Sequence, residues 1–190
     1  MTRRMLIAGV GNIFLGDDGF GGEVARRLAG AGLPGWVRVS DYGTSGMHLA
    51  YDMADGYDTT IMIDTTRRGG EPGTLYVIEP DRAARRGPGA GRASQAPPPA
   101  GWVFDAHGMQ PDVVFDLVKA LGAKLGRVLV VGCEPASVGH GIGLSAPVAA
   151  AVDEAVRIVT RIVRDEAGAG RPTGQGDGEG KWSHVPRHTR

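Results

Sequence analysis

Five short apolar runs, "RMLIAGVG", "WVRVSDYG", "TTIMIDTT", "GTLYVIEP" and "RVLVVGCEP", interleave with segments whose apolar residues recur at helical spacing. This interleaving most constrains the fold. Runs that are apolar at nearly every position, and end at glycine or a polar residue, suit strands buried on both faces. Between them, "FGGEVARRLAGAG" places Phe20, Val24 and Leu28 on one face, with Ala25 and Ala29 beside them. "SGMHLAYDMADG" reads as a helix opened by Ser45. Pro111 opens a helix in "QPDVVFDLVKALGAKLG", with Val114, Leu117, Val118 and Leu121 sharing a face. The longest helix follows Ser145 and carries Val148, Val152, Val156, Val159 and Val163 on one side. Strands alternating with helices predict a three-layer α/β fold: a mostly parallel twisted sheet of about five strands, with helices on both faces.

A chain of 190 residues suits one domain. We expect that domain over residues 1–167, with 81–101, rich in Pro, Gly and Arg, as a flexible insertion and 168–190 as a disordered tail. Lys+Arg and Asp+Glu number 21 each. Such a balance argues against nucleic acid and anionic membrane as partners, whose phosphates favour an excess of cations. The single cysteine, Cys133, allows no intrachain disulfide and suits a reducing compartment. No apolar stretch is long enough to span a bilayer. The opening "MTRRMLIAGVGNIFLG" has a twin arginine but no small-residue cleavage site after it, so Arg3-Arg4 is read as the solvated start of a strand.

In folds of this class, ligands sit outside the carboxyl ends of the strands. The sequence places its unusual polar residues there: Gly11-Asn12, Asp41, Asp64 and Cys133-Glu134. A dinucleotide site would need G-x-G-x-x-G, but Phe14 occupies the third glycine's place, and a P-loop would need Lys-Ser or Lys-Thr. Asp17 and Asp18 also stand where a pyrophosphate would have to lie, and like charges in a poorly hydrated site repel by kcal/mol amounts. One aspartate could cap the following helix; the second needs another reason, and a cation is one. Asp64 and His107 are further potential ligands. Each has a plainer reading, Asp64 as a turn cap and His107 as a hydrogen-bonded loop histidine. Two carboxylates and an imidazole meeting at the strand ends would suit a borderline divalent ion such as nickel, zinc or manganese.

"GVGNIFLGDDGFG" resembles the N-terminal signature of the nickel–iron hydrogenase maturation endopeptidases. The likeness continues in order through "DYGTSGMHL", "IMIDTT", "PGTLYVIEP", "DAHGMQPDVV", "VVGCEP" and "GHGIGLSAPV", covering roughly residues 4–165. The resemblance implies a cytoplasmic protease that removes a C-terminal extension from the hydrogenase large-subunit precursor after nickel insertion. It puts the metal-contacting and catalytic residues at Asp18, Asp64 and His107, with nickel supplied by the substrate. Asp17 is then left to cap the helix. Two features depart from the family pattern. Tyr42 stands in Asp41-Tyr42-Gly43-Thr44, where the family often has a second glycine, and is expected to narrow the cleft; the 81–101 insertion is unusually long and basic. Asp17 and Asp41 are weak candidates for a general base. Two other functions remain open: a cysteine peptidase using Cys133 with His107 or His140, and a nickel-dependent module that binds the immature large subunit without cutting it.

Overall fold

The computed structural model describes residues 3–80 and 111–168. Five strands form one sheet: β1 (Met5–Val10), β2 (Val37–Gly43), β3 (Thr59–Thr65), β4 (Leu75–Ile78) and β5 (Arg127–Cys133), in the order β2-β1-β3-β5-β4. Helices α1 (Phe20–Ala29), α2 (Gly46–Ala54), α3 (Pro111–Ala120) and α4 (Ala146–Gly168) complete the fold. The expected three-layer α/β architecture is therefore present. The predicted insertion and the tail beyond Gly168 lie outside the described residues.

Side chains alternate across the central strands, so each strand feeds both cores. Met5, Ile7, Ile61, Ile63, Leu129 and Val131 pack under α1 and α4. Leu6, Ala8, Val10, Met62, Val128 and Val130 pack under α2 and α3. This double burial is why β1, β3 and β5 read as unbroken apolar runs. The expected helix faces hold in most positions: Phe20, Val24 and Leu28 of α1 and Val148, Val152, Val159 and Val163 of α4 are buried. Four expected positions differ. Ala29, at the last turn of α1, is exposed, Val156 and Leu117 are only partly buried, and Leu121 lies beyond the end of α3 and is 42% exposed.

β1 pairs in parallel with β2 and β3, and β3 with β5. β4 runs antiparallel to β5. The short connection from β3 to β4 cannot hold a crossover helix, so the chain passes over the end of β5 and returns along its far side. Glu134 anchors that passage. Its carboxylate accepts from the N–H groups of Arg68 (2.8 Å) and Gly69 (3.2 Å) and from the Tyr76 hydroxyl (2.9 Å). Burial and the Glu134 carboxylate together push the Tyr76 phenol up to about 12.

From β1 the chain moves outward to β2, then returns past β1 to β3. The connections diverge between β1 and β3, and at such a switch point the loops part and leave a crevice. No helix among the described residues is long and apolar enough to cross a membrane.

Candidate active site

The turn after β1 folds back over the strand ends. Gly11 has φ +123°, and a Cβ there would collide with the Asp18 carbonyl oxygen. Only glycine lets the turn close this tightly. Gly21 has the same function one step on, where a Cβ would strike the backbone of Val10 and Ile63. α1 thereby seats directly on β1 and β3. The glycines therefore build a close-packed strand–turn–helix. Asn12 bonds the local backbone, its Oδ1 accepting from Phe14 N–H at 3.0 Å.

Asp18 is brought by this turn to the β1–β3 crevice. Its Oδ2 accepts from Asn12 N–H at 2.6 Å, and its Oδ1 from the Thr65 hydroxyl at 3.2 Å. Asp64, near the end of β3, accepts from Thr65 N–H at 2.7 Å. The two carboxylates thus meet across Thr65. Asp64 is buried, and its carboxyl is held well above the ordinary range, first by burial and then by the Asp18 charge. Among the described residues only Thr65 donates to it, although a carboxylate can accept about four bonds. Thr66 buries a hydroxyl with no hydrogen-bond partner among the described residues. Polar groups with so few partners among the described residues, at a strand end beside the switch point, make this a candidate ligand site.

A cleft of about 610 Å³ adjoins the Gly16–Gly19 turn. Ile13, Gly22, Asp41, Ile142 and Leu144 are among the residues that line it. Three or more His, Cys, Asp or Glu side chains do not cluster anywhere among the described residues. The structure therefore brings Asp18 and Asp64 together, while His107 lies outside the described residues. Carboxylate oxygens fit a hard or borderline divalent ion, and two of them leave coordination positions for other donors.

The sequence profile described as hydrogenase maturation protease matches residues 23–162. The chain belongs to that family. A protein of Methanocaldococcus jannaschii is 33% identical to the protease over 161 residues, 83% of this chain and 94% of its own. The hydrogenase 2 maturation protease of Escherichia coli is 27% identical over 163 residues, 85% of this chain and 92% of its own. The solved hydrogenase-maturating endopeptidase HybD of E. coli superposes with a TM-score of 0.68 at 27% identity, covering 86% of this chain and 93% of that one. A solved hydrogenase 2 maturation peptidase from a Thaumarchaeota archaeon gives 0.60 at 29% identity, over 85% and 98%.

Several residues of the protease differ from the sequence reading. Asp17 does not cap the helix that follows it. Its carboxylate instead accepts from the N–H groups of Ala136 (2.8 Å), Ser137 (2.9 Å) and Ser145 (2.6 Å) and from the Ser145 hydroxyl (3.0 Å). Burial alone would raise its pKa; these bonds outweigh burial and hold the carboxyl below its ordinary value. With both oxygens taken, Asp17 has no place for a water and is not a general base. Ser145 stands before α4 as expected, but its hydroxyl serves Asp17. Ser45 stands before α2, yet its hydroxyl bonds His48 Nδ1 at 2.9 Å in place of a backbone N–H.

Tyr42 does not narrow the cleft. It turns toward α2, where its hydroxyl donates to Asp52. Asp41 does line the cleft and accepts from Gly43 N–H at 2.9 Å. Cys133 has no exposed surface and sits in the core beneath α4, so it cannot meet a substrate. That sets aside the cysteine peptidase. His140 is exposed on the loop between β5 and α4. Sequence reasoning missed Thr65, which joins the two acids; threonine in a strand gives no signal beyond β propensity.

Proposed function

We propose that this protease removes the C-terminal extension of the nickel–iron hydrogenase large-subunit precursor, in the cytoplasm, after nickel has been inserted. Asp18, Asp64 and His107 contact the nickel that the precursor brings. The observation carrying this reading is the Asp18–Asp64 pair at the switch point, where a buried acid is pressed toward neutrality by burial and by its neighbour. An arriving cation relieves both effects, because a nearby positive charge favours the ionised carboxylate. A divalent ion polarises a carbonyl and acidifies bound water, which is the chemistry peptide hydrolysis needs. The chain's part is to hold the ion between Asp18 and Asp64 and to seat the polypeptide in the adjoining cleft. Two carboxylates in an open crevice bind nickel less firmly than thiolates do, so the protease reads a metal that it does not own.

The test is incubation with nickel-loaded and nickel-free precursor, followed by mass spectrometry of both products. The proposal requires a shortened large subunit only from the loaded form. Stable complex formation without loss of mass would instead favour a non-cleaving checkpoint module. A tight nickel site on the isolated protein, measured by isothermal titration, would make it a metalloprotease with its own ion.

A further inference from the structure

Asp17 and Asp18 are consecutive, and they face opposite ways. Asp18 reaches the ends of β1 and β3; Asp17 reaches the loop joining β5 to α4. The Asp17 carboxylate gathers both ends of that loop, from Ala136 and Ser137 at one end and Ser145 at the other. The backbones of turn and loop are also tied: Gly16 N–H donates to Gly141 O at 2.8 Å, Gly141 N–H to Phe14 O at 2.9 Å, and Asp17 N–H to Ser137 O at 3.1 Å. The same loop carries Ile142 and Leu144 into the cleft wall. Asp17 is 1% exposed, so it touches no substrate. A carboxylate is required because both oxygens accept. An asparagine would turn an NH₂ group toward an N–H donor and could keep only part of the set.

We propose that Asp17 is a positioning residue: by pinning the β5–α4 loop to the turn after β1, it holds Asp18 aimed at Thr65 and Asp64 and fixes the cleft wall in the same frame. A groove that grips the polypeptide and an acid that contacts the metal must keep one geometry, and this single buried carboxylate is the joint between them. The inference rests on the role given above to Asp18. Groups that orient metal-contacting residues affect activity by about 10–100-fold when lost.

The test uses the full chain as wild type, Asp17→Asn, Ser145→Ala, Ser145→Thr and Asp18→Asn. Two measurements are made below each variant's melting transition: kcat and KM on nickel-loaded precursor, and residue-resolved amide hydrogen exchange without metal or substrate. In Asp17→Asn, kcat should fall about 10–100-fold, and KM should rise, because the freed loop carries Ile142 and Leu144 of the cleft wall. Exchange should quicken at Ala136, Ser137 and Ser145. It should also quicken at Asn12, whose N–H is held by Asp18 and not by Asp17. Ser145→Ala should show the same pattern more weakly, and Ser145→Thr, which restores the hydroxyl, should reverse it. A folded Asp17→Asn protein with wild-type kcat and undisturbed Asn12 exchange overturns the proposal. Should Asp17→Asn fail to fold, wild-type kcat and Asn12 protection in Ser145→Ala overturn it equally. If Asp18→Asn still processes precursor while Asp17→Asn quickens Asn12 exchange, the coupling stands and the role of Asp18 fails.

Discussion

Asp17 and Asp64 lie at the same end of one sheet and are both buried, yet the fold treats them in opposite ways. Asp17 receives three amide N–H groups and a hydroxyl, and its carboxyl is held below the ordinary value. Glu134, just past the end of β5, is likewise taken by two amides and a phenol. At the end of β3, Asp64 has Thr65 alone among the described residues, feels the charge of Asp18, and is held above the ordinary value; Thr66, two residues on, buries a hydroxyl with no partner among the described residues. A buried acid whose bonds are complete belongs to the scaffold. One left incomplete next to a like charge stores free energy that a cation can release. On the function proposed above, satisfaction, more than burial or residue type, separates framework from reaction site.

The largest effect should come from the incomplete side. Asp64→Asn should abolish processing, by about a hundredfold or more, the scale on which loss of one transition-state contact acts. It should do so without loss of fold. A carboxyl whose pKa is raised on folding adds stability while protonated; that stability is fully present below the ordinary value, 3.8, and is lost as pH rises through the folded value. The variant should therefore match wild type in acid and be more stable at neutral pH, as chemical denaturation at several pH values would read out. His107→Ala should lose processing as well. Wild-type processing by either folded variant removes the metal-contacting set.

Asp17→Asn should act oppositely on stability. It forfeits hydrogen bonds to a charged acceptor, each worth about 1.5–3 kcal/mol, so we expect a loss of about 3 kcal/mol near neutral pH. A carboxyl with a depressed pKa contributes stability above the ordinary value, 3.8, and that contribution is lost as pH falls through the folded value. The deficit of this variant should shrink in acid, while the gain of Asp64→Asn grows with rising pH. Parallel pH profiles for the two would break the comparison.

The two regions were unequally legible in the sequence. Strands buried on both faces, Asn12 and the strand-end location of Asp64 follow from local pattern, because a parallel α/β fold sends chemistry to one end of its sheet. The partners of Asp17 do not. They lie more than a hundred residues away, and a capping aspartate and a loop-pinning aspartate have the same local sequence. β4 also escaped the pattern, since its apolar run does not say that it pairs with β5 in the antiparallel sense. Leu121 kept the helical spacing of α3 but fell past its end, where glycine at 122 has φ +73°. At Tyr42 a strand end offers two faces, and only packing against α2 decides between them.

A smaller effect is expected at Glu134's anchor. Tyr76→Phe removes one of three donors and leaves the two amides in place. The cost should be about 1.5–2 kcal/mol, with the rate of precursor processing unchanged. A large fall in kcat, measured on a folded variant, would bring the Glu134 side into the reaction and blur the division drawn here.

The smallest change in activity should come from Cys133→Ser. Cys133 is wholly buried, and its thiol lies 3.8 Å from the Glu134 carbonyl oxygen. Serine is close to cysteine in shape, and its hydroxyl can donate to that same carbonyl, so the cost of placing oxygen in the core is partly offset. We expect about 1 kcal/mol of destabilisation, seen as a small drop in melting temperature, and wild-type kcat below it. The side chain belongs to the satisfied region, where exchanging one atom for another changes how firmly the frame stands but not what it does. Loss of processing in a folded Cys133→Ser protein would return a thiol to the chemistry and place the reaction on the side of the sheet end that the hydrogen bonds assign to the scaffold.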